Sequence, residues 1–192
     1  MFTRAGMFLT VVSSSVVALA LVSQATDFDD EFRILSLLIL PVVLLVGIGT
    51  FLRVNSANDE DIGLVIGMNR LRNAYLQIAP DLEPFFITGC HDDQAGIMRT
   101  YAIDAQVMPR RVLASTPMLV GFVDAVVAGA FAALLLKQLF DLSDPFVVAV
   151  GTIVAIATGI VLFLIPMREM KRFRQEHAPR FPSSQSGDKG EA

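Results

Sequence analysis

The chain has one cysteine, Cys90, and two histidines, His91 and His177. A single thiol excludes an intrachain disulfide framework and cannot supply a Cys-rich zinc site. Several catalytic signatures are also missing: there is no Gly-rich phosphate loop ending in Lys-Ser or Lys-Thr, no nucleophile elbow and no His-Glu-x-x-His. Nucleic-acid binding finds no support, because the arginines flank apolar stretches and the middle of the chain holds more acids than bases. The most telling lack is of charge. None occurs in Ala5–Thr26, in Ile34–Leu52 or in Pro145–Met167, and Val112–Leu136 holds only Asp124.

What fills these stretches is aliphatic. The 192 residues are 54% hydrophobic with a mean hydropathy of +0.60, against an apolar share of roughly 45–50% in ordinary soluble domains. At ~1.5 Å rise per residue each stretch reaches about 28–38 Å as a helix, enough to cross a hydrocarbon core of ~30 Å. The expected class is therefore an all-α membrane protein with four transmembrane helices in an antiparallel bundle.

Boundaries follow from charge, proline and capping residues. Residues 1–53 form a first transmembrane hairpin, with helices at about 5–26 and 33–53. Residues 54–111 form a cytosolic amphipathic segment, and 112–168 a second hairpin with helices at about 114–138 and 145–168. Ser115-Thr116-Pro117 and Ser143-Asp144-Pro145 each read as a cap followed by proline in the first helical turn. Pro41, inside the second span, is expected to kink it. The remainder, 169–192, is a basic collar followed by a tail expected to be disordered from Ala178, where Pro, Ser, Gly and charge dominate.

Lysine and arginine set orientation. Arg4, the six arginines of 53–111 and the six bases from Arg168 onward make thirteen on one side, against Arg33 and Lys137 on the other. Both termini and the middle segment are thus expected in the cytosol, with the bundle in the cell's inner membrane. Ser23-Gln24-Ala25 after an apolar run offers a competing reading, a cleaved signal peptide.

In the middle segment Asn58 or Asp59 can cap a helix reaching about Ala79. Leu64, Met68, Leu71, Tyr75 and Ile78 recur in steps of four and three, so they share one face, while Asn69, Arg70, Asn73 and Gln77 turn away. Asp92 or Asp93 should cap a second helix through Ile97, Met98 and Tyr101. Fewer than 60 residues with so few large apolar groups bury too little surface for an independent domain, so both helices are expected against the inner leaflet or under the bundle.

Four sets of candidate residues follow. Asp124 lies about seven residues into the third span, where a carboxylate costs about 2.5–3.5 kcal/mol or more. At the same depth stand Ser13, Ser14 and Ser15 on the first span, Gly47 and Gly49 on the second, and Thr158 on the fourth. They imply a polar layer in which hydroxyls bond Asp124, either as an ion or proton site or as a helix-to-helix hydrogen bond. Gly151, Ala155 and Gly159, with Ala125, Gly129 and Ala133, form small-residue stripes for close packing within the hairpin or between copies. Arg168, Lys171, Arg172 and Arg174 can hold anionic lipid head groups. His91 and Asp93, within Cys90-His91-Asp92-Asp93, are the residues a metal would use, although a turn closed by an Asp cap accounts for the same letters.

The leading functional expectation is a non-enzymatic structural, accessory or scaffolding protein without a cofactor. Its partners would be the bilayer and either further copies of itself or another membrane protein. A small oligomeric ion or proton channel built on Asp124 is the alternative, and a membrane-bound enzyme the third reading.

Overall fold

The structure is a computed structural model that describes residues 2–26, 30–101, 115–140, 143–176 and 178–183, without the side chains of 2, 4 and 169–176. Most of the described residues are helical, with no strand among them. Helix α1 is Phe2–Thr26, α2 Asp30–Ile78, α3 Gln94–Thr100, α4 Thr116–Phe140 and α5 Asp144–Glu176, and a 3-10 helix covers Pro80–Phe85. Four of these, α1, α2, α4 and α5, contain stretches long and apolar enough to cross a membrane.

Helix α2 departs from the expected boundaries. It runs through its 49 residues without a break, where the sequence reading ended one helix near 53 and capped another at Asn58 or Asp59. Nothing from Arg53 to Asn58 stops a helix firmly: Asn55 turns its side-chain amide back to the Phe51 carbonyl (3.1 Å), within the helix. The helix also passes through Pro41.

The chain divides into two compact units. The first, Met1–Asn55 with Ala114–Arg168, is a four-helix assembly. Ala5 and Phe8 of α1, Phe51 of α2, Val120 of α4 and Leu162 of α5 are buried in one cluster, with Val12, Val123 and Ile165 packed against it. Helices α4 and α5 meet along their small residues. A Cβ on Gly129 would lie 2.6 Å from the Gly151 carbonyl oxygen and 2.8 Å from the Ala155 Cβ, and one on Gly151 would lie 2.9 Å from the Ala133 Cβ. The Ala125 Cβ stands 3.7 Å from where a Gly159 Cβ would be. Each stripe is thus the other's partner, and the backbones approach at a distance only glycine permits. Lys137 Nζ closes the loop end of this pair on Asp144 Oδ1 at 2.8 Å.

The second unit, Ser56–Leu113 with Glu169–Ala192, departs from the disorder expected of the tail at 178–183. The middle segment does form a compact unit, and it does so by enlisting the tail: residues 178–183 pack into it rather than standing disordered. Within the unit its helix turns the other face inward. Val65, Ile66 and Asn69 are buried and Arg70 is half-buried, while Leu64, Met68, Leu71, Tyr75 and Ile78 are exposed. Asp93 is the N-cap of α3, its Oδ1 accepting the Gly96 N–H at 2.9 Å.

Candidate functional site

Asp124 stands on the inner face of α4 and is fully buried. Its carboxyl lies against the backbone of Gly47 on α2, in the place a side chain at 47 would occupy. Gly47 is at the depth expected from the sequence, whereas the bonds expected there are from hydroxyls. No hydroxyl makes one. Both carboxyl oxygens lack a hydrogen-bond partner. Ser13 and Ser14 are exposed, Ser15 Oγ donates to the Val11 carbonyl (2.8 Å), and Thr158 is half-buried without reaching the carboxyl. The reason is local: a helical hydroxyl finds its nearest acceptor one turn back on its own helix, as Thr10, Thr50 and Thr152 also do. Ser36 of α2 is the other fully buried polar side chain of this unit whose oxygen has no partner.

A carboxyl removed from water without a hydrogen bond costs free energy. What Asp124 gains is shape: glycine on one helix and a side chain on the next interlock and fix the register of α2 against α4. The same orphan oxygens are what a bound proton or cation would need.

In the second unit Asp92 and Asp93 form a clasp. Asp92 Oδ2 accepts from Arg70 Nε at 2.7 Å and from the Arg180 N–H at 2.8 Å, and Oδ1 accepts from the Phe181 N–H at 2.8 Å. The Asp92 N–H donates to the Phe181 carbonyl at 3.4 Å. Asp93 Oδ2 accepts from both the N–H (2.9 Å) and the hydroxyl (2.6 Å) of Ser183. Arg70 ties the helix to the same strap, its Nη2 donating to the Ala178 carbonyl at 3.3 Å. Beneath lies Asn69, fully buried. Its amide nitrogen donates to the His91 carbonyl (2.9 Å), and its oxygen accepts from Arg72 (2.8 Å) and the Thr100 hydroxyl (2.9 Å).

Electrostatics favour the charged clasp. Burial pushes the Asp92 carboxyl up, but the Arg180 N–H, the Arg70 guanidinium and the Phe181 N–H outweigh it and hold the group below the usual carboxylate range. Asp93 is likewise depressed: against burial it has the Ser183 hydroxyl, the N–H groups of Gly96 and Ser183, and the charge of His91. Tyr101 is pushed up by burial and by its 2.6 Å hydrogen bond to Asp61.

Both oxygens of Asp93 are therefore spent on the protein itself, and among the described residues no three His, Cys, Asp or Glu side chains gather to hold a metal. Asp92 is the residue that sequence reasoning missed. Its sequence neighbours point only to a cap or a metal cluster, while its partners lie 22 positions before it, at Arg70, and 88 and 89 after it, at Arg180 and Phe181. Arg168 is exposed, and the side chains of Lys171, Arg172 and Arg174 lie outside the described residues.

Comparison of the chain with protein-family models, with curated proteins and with solved structures finds no match.

Proposed function

We propose that this chain is a multi-pass inner-membrane protein of structural or accessory type. In this reading the first unit is an antiparallel four-helix bundle in lipid, and the second unit is cytosolic, as are both termini. The observation that carries the reading is the inverted polarity of the first unit: Asp124 and Ser36 are enclosed, whereas Leu38 and Leu45 stand 65% and 70% exposed. In water that surface is unfavourable by ~25 cal/mol per Å²; against acyl chains the penalty disappears. Orientation rests on the distribution of lysine and arginine, with Arg168 and its basic neighbours at anionic head groups.

A structural role suits Asp124 because its neighbour is glycine backbone rather than a second titratable group. A small oligomeric proton or cation channel is the second reading, favoured by the two orphan oxygens. Asp124→Asn separates them. In reconstituted vesicles, a structural role leaves ion and proton flux at background with either residue, while a channel shows flux that the substitution changes. Alkaline extraction tests the membrane reading itself: release of the folded chain into the aqueous fraction would refute it.

A further inference from the structure

The outward stripe of α2 is a seam without a partner among the described residues. Leu64, Leu71 and Ile78 are 67%, 62% and 82% exposed, and Met68 and Tyr75 are exposed between them. Their steps of four, three, four and three follow a strict heptad. That spacing makes the narrow apolar line of a coiled coil rather than the broad face of a helix lying on a surface. The opposite face is already used, since Val65, Ile66 and Asn69 are buried within the unit. Gly67 and Ala74, both exposed along one edge of the stripe, are small enough to let another helix come close.

Charge decides what covers it. An interfacial helix needs lysine or arginine on its polar side. Here Arg70 is held by Asp92 and the Ala178 carbonyl, and Arg72 by Asn69 and the Gly89 carbonyl. Beyond the ends of the stripe stand acids, Asp61 on one side and Asp81 and Glu83 on the other, all exposed. They repel an anionic leaflet. In a parallel pair of α2 helices, by contrast, the positions flanking the seam would set Gly67 and Ala74 against Arg72 and Ala79, so no like charges meet.

We propose that the seam docks on the same seam of a second copy, forming a parallel two-stranded coiled coil over residues 64–78. Five such side chains expose roughly 600 Å², somewhat below the ~800 Å² per partner of a standard interface. Two features offset the shortfall. Helix α2 is already continuous from Asp30 to Ile78, so no helix need be nucleated. Anchoring both copies in one bilayer raises their effective concentration. The proposal rests on the membrane placement above.

The test is a cysteine scan in native membranes. With Cys90 replaced by serine, single cysteines are introduced along residues 63–78 and oxidised. Expected are disulfide-linked dimers at Leu64→Cys, Met68→Cys, Leu71→Cys, Tyr75→Cys and Ile78→Cys, at least about tenfold above the off-seam controls Gly63→Cys and Gln77→Cys, following the heptad period. Adding Leu71→Asp should abolish the Met68→Cys dimer while the amide signals of Arg180 and Phe181 stay put. Cross-linking without period, no cross-linking, labelling of the seam by a lipid-phase reagent, or links to another segment of the same chain would each overturn the proposal. Alkaline extraction of the same membranes keeps the two readings apart, because a chain retained there without periodic dimers sinks the coiled coil alone.

Discussion

The two units of this chain invert each other. The bundle encloses a carboxyl and a serine hydroxyl that bond to nothing and surrounds them with exposed leucine, valine and phenylalanine. The second unit encloses Asn69, Asp92 and Asp93 in a network where each has several partners. Close packing of small residues fixes the register of the first, and directional polar contacts fix the second. Polar substitutions should therefore be nearly silent where the polar group is orphaned and severe where it is bonded, and steric substitutions should show the reverse.

The largest expected effect is steric. In Gly47→Leu the new side chain must occupy the space of the Asp124 carboxyl, which forces apart helices packed to close density. Overpacking of this kind costs about 1–3 kcal/mol, and more where backbone must move. The melting temperature in detergent should fall by many degrees. Asp124→Asn in the same protein should be nearly neutral, since it keeps the shape that fills the Gly47 notch and no hydrogen bond is lost. Pairing Gly47→Ala with Asp124→Ala should restore most of the loss caused by Gly47→Ala alone. A Gly47→Leu protein that melts like the parent would show that the interlock is not what sets the register.

Next in size is the clasp. Asp92→Ala frees the Arg180 and Phe181 amides and leaves the partly exposed Arg70 without its carboxylate, a loss of about 1–3 kcal/mol. The strap should detach and cleavage by trypsin after Arg180 should accelerate roughly tenfold or more, because the rate follows the open population. Unchanged cleavage would remove the clasp from consideration. Its pH dependence is smaller. A carboxyl held below its unfolded value stabilises fully above that value, ~3.9 for aspartate, and loses its contribution as pH falls through the lower folded value. The amide signals of Arg180, Phe181 and Ser183 should accordingly hold from neutrality to about pH 5 and move together only below the ordinary carboxylate range. Movement already near neutrality would show that the Asp92 and Asp93 carboxylates are not what holds the strap.

This contrast also explains what the amino-acid order revealed. The four apolar stretches were legible because lipid solvation acts on local composition, and a run such as Pro145–Met167 declares itself without reference to anything distant. Asp124 stood out for the same reason, a single charge in an apolar run. Its partner did not, because hydrogen-bond reasoning favours Ser13, Ser14, Ser15 and Thr158 over a glycine, while packing favours the residue that leaves room. In the second unit amphipathicity locates the apolar face of Leu64, Met68 and Leu71, which is exposed, but not the bonds of the other face, where Asn69 and Arg70 find partners at His91, Asp92, Thr100 and Ala178. The composition of Ala178–Ser183 reads as disorder, and only distant carboxylates make it a strap. Continuity of α2 through Arg53–Asn58 was missed because polar residues there looked like a cap, although Asn55 serves its own helix.

The smallest effect falls at the loop end of the α4–α5 pair, where a polar contact should be silent to substitution. Lys137 and Asp144 meet at 2.8 Å, as short as the contacts of the clasp, but the Asp144 side chain is almost wholly in solvent. There water competes for both charges, salt screens them, and ordering a lysine side chain offsets much of the attraction. The pair of helices is held instead by Gly129, Gly151 and their small neighbours, which meet below it. Lys137→Ala should therefore leave the melting transition within the scatter of replicate measurements at both low and high salt, whereas Gly151→Leu should lower it by many degrees. If Lys137→Ala weakened the protein as much as Asp92→Ala, a short contact would count for the same whatever surrounds it, and burial would no longer explain why one half of this chain depends on polar bonds and the other does not.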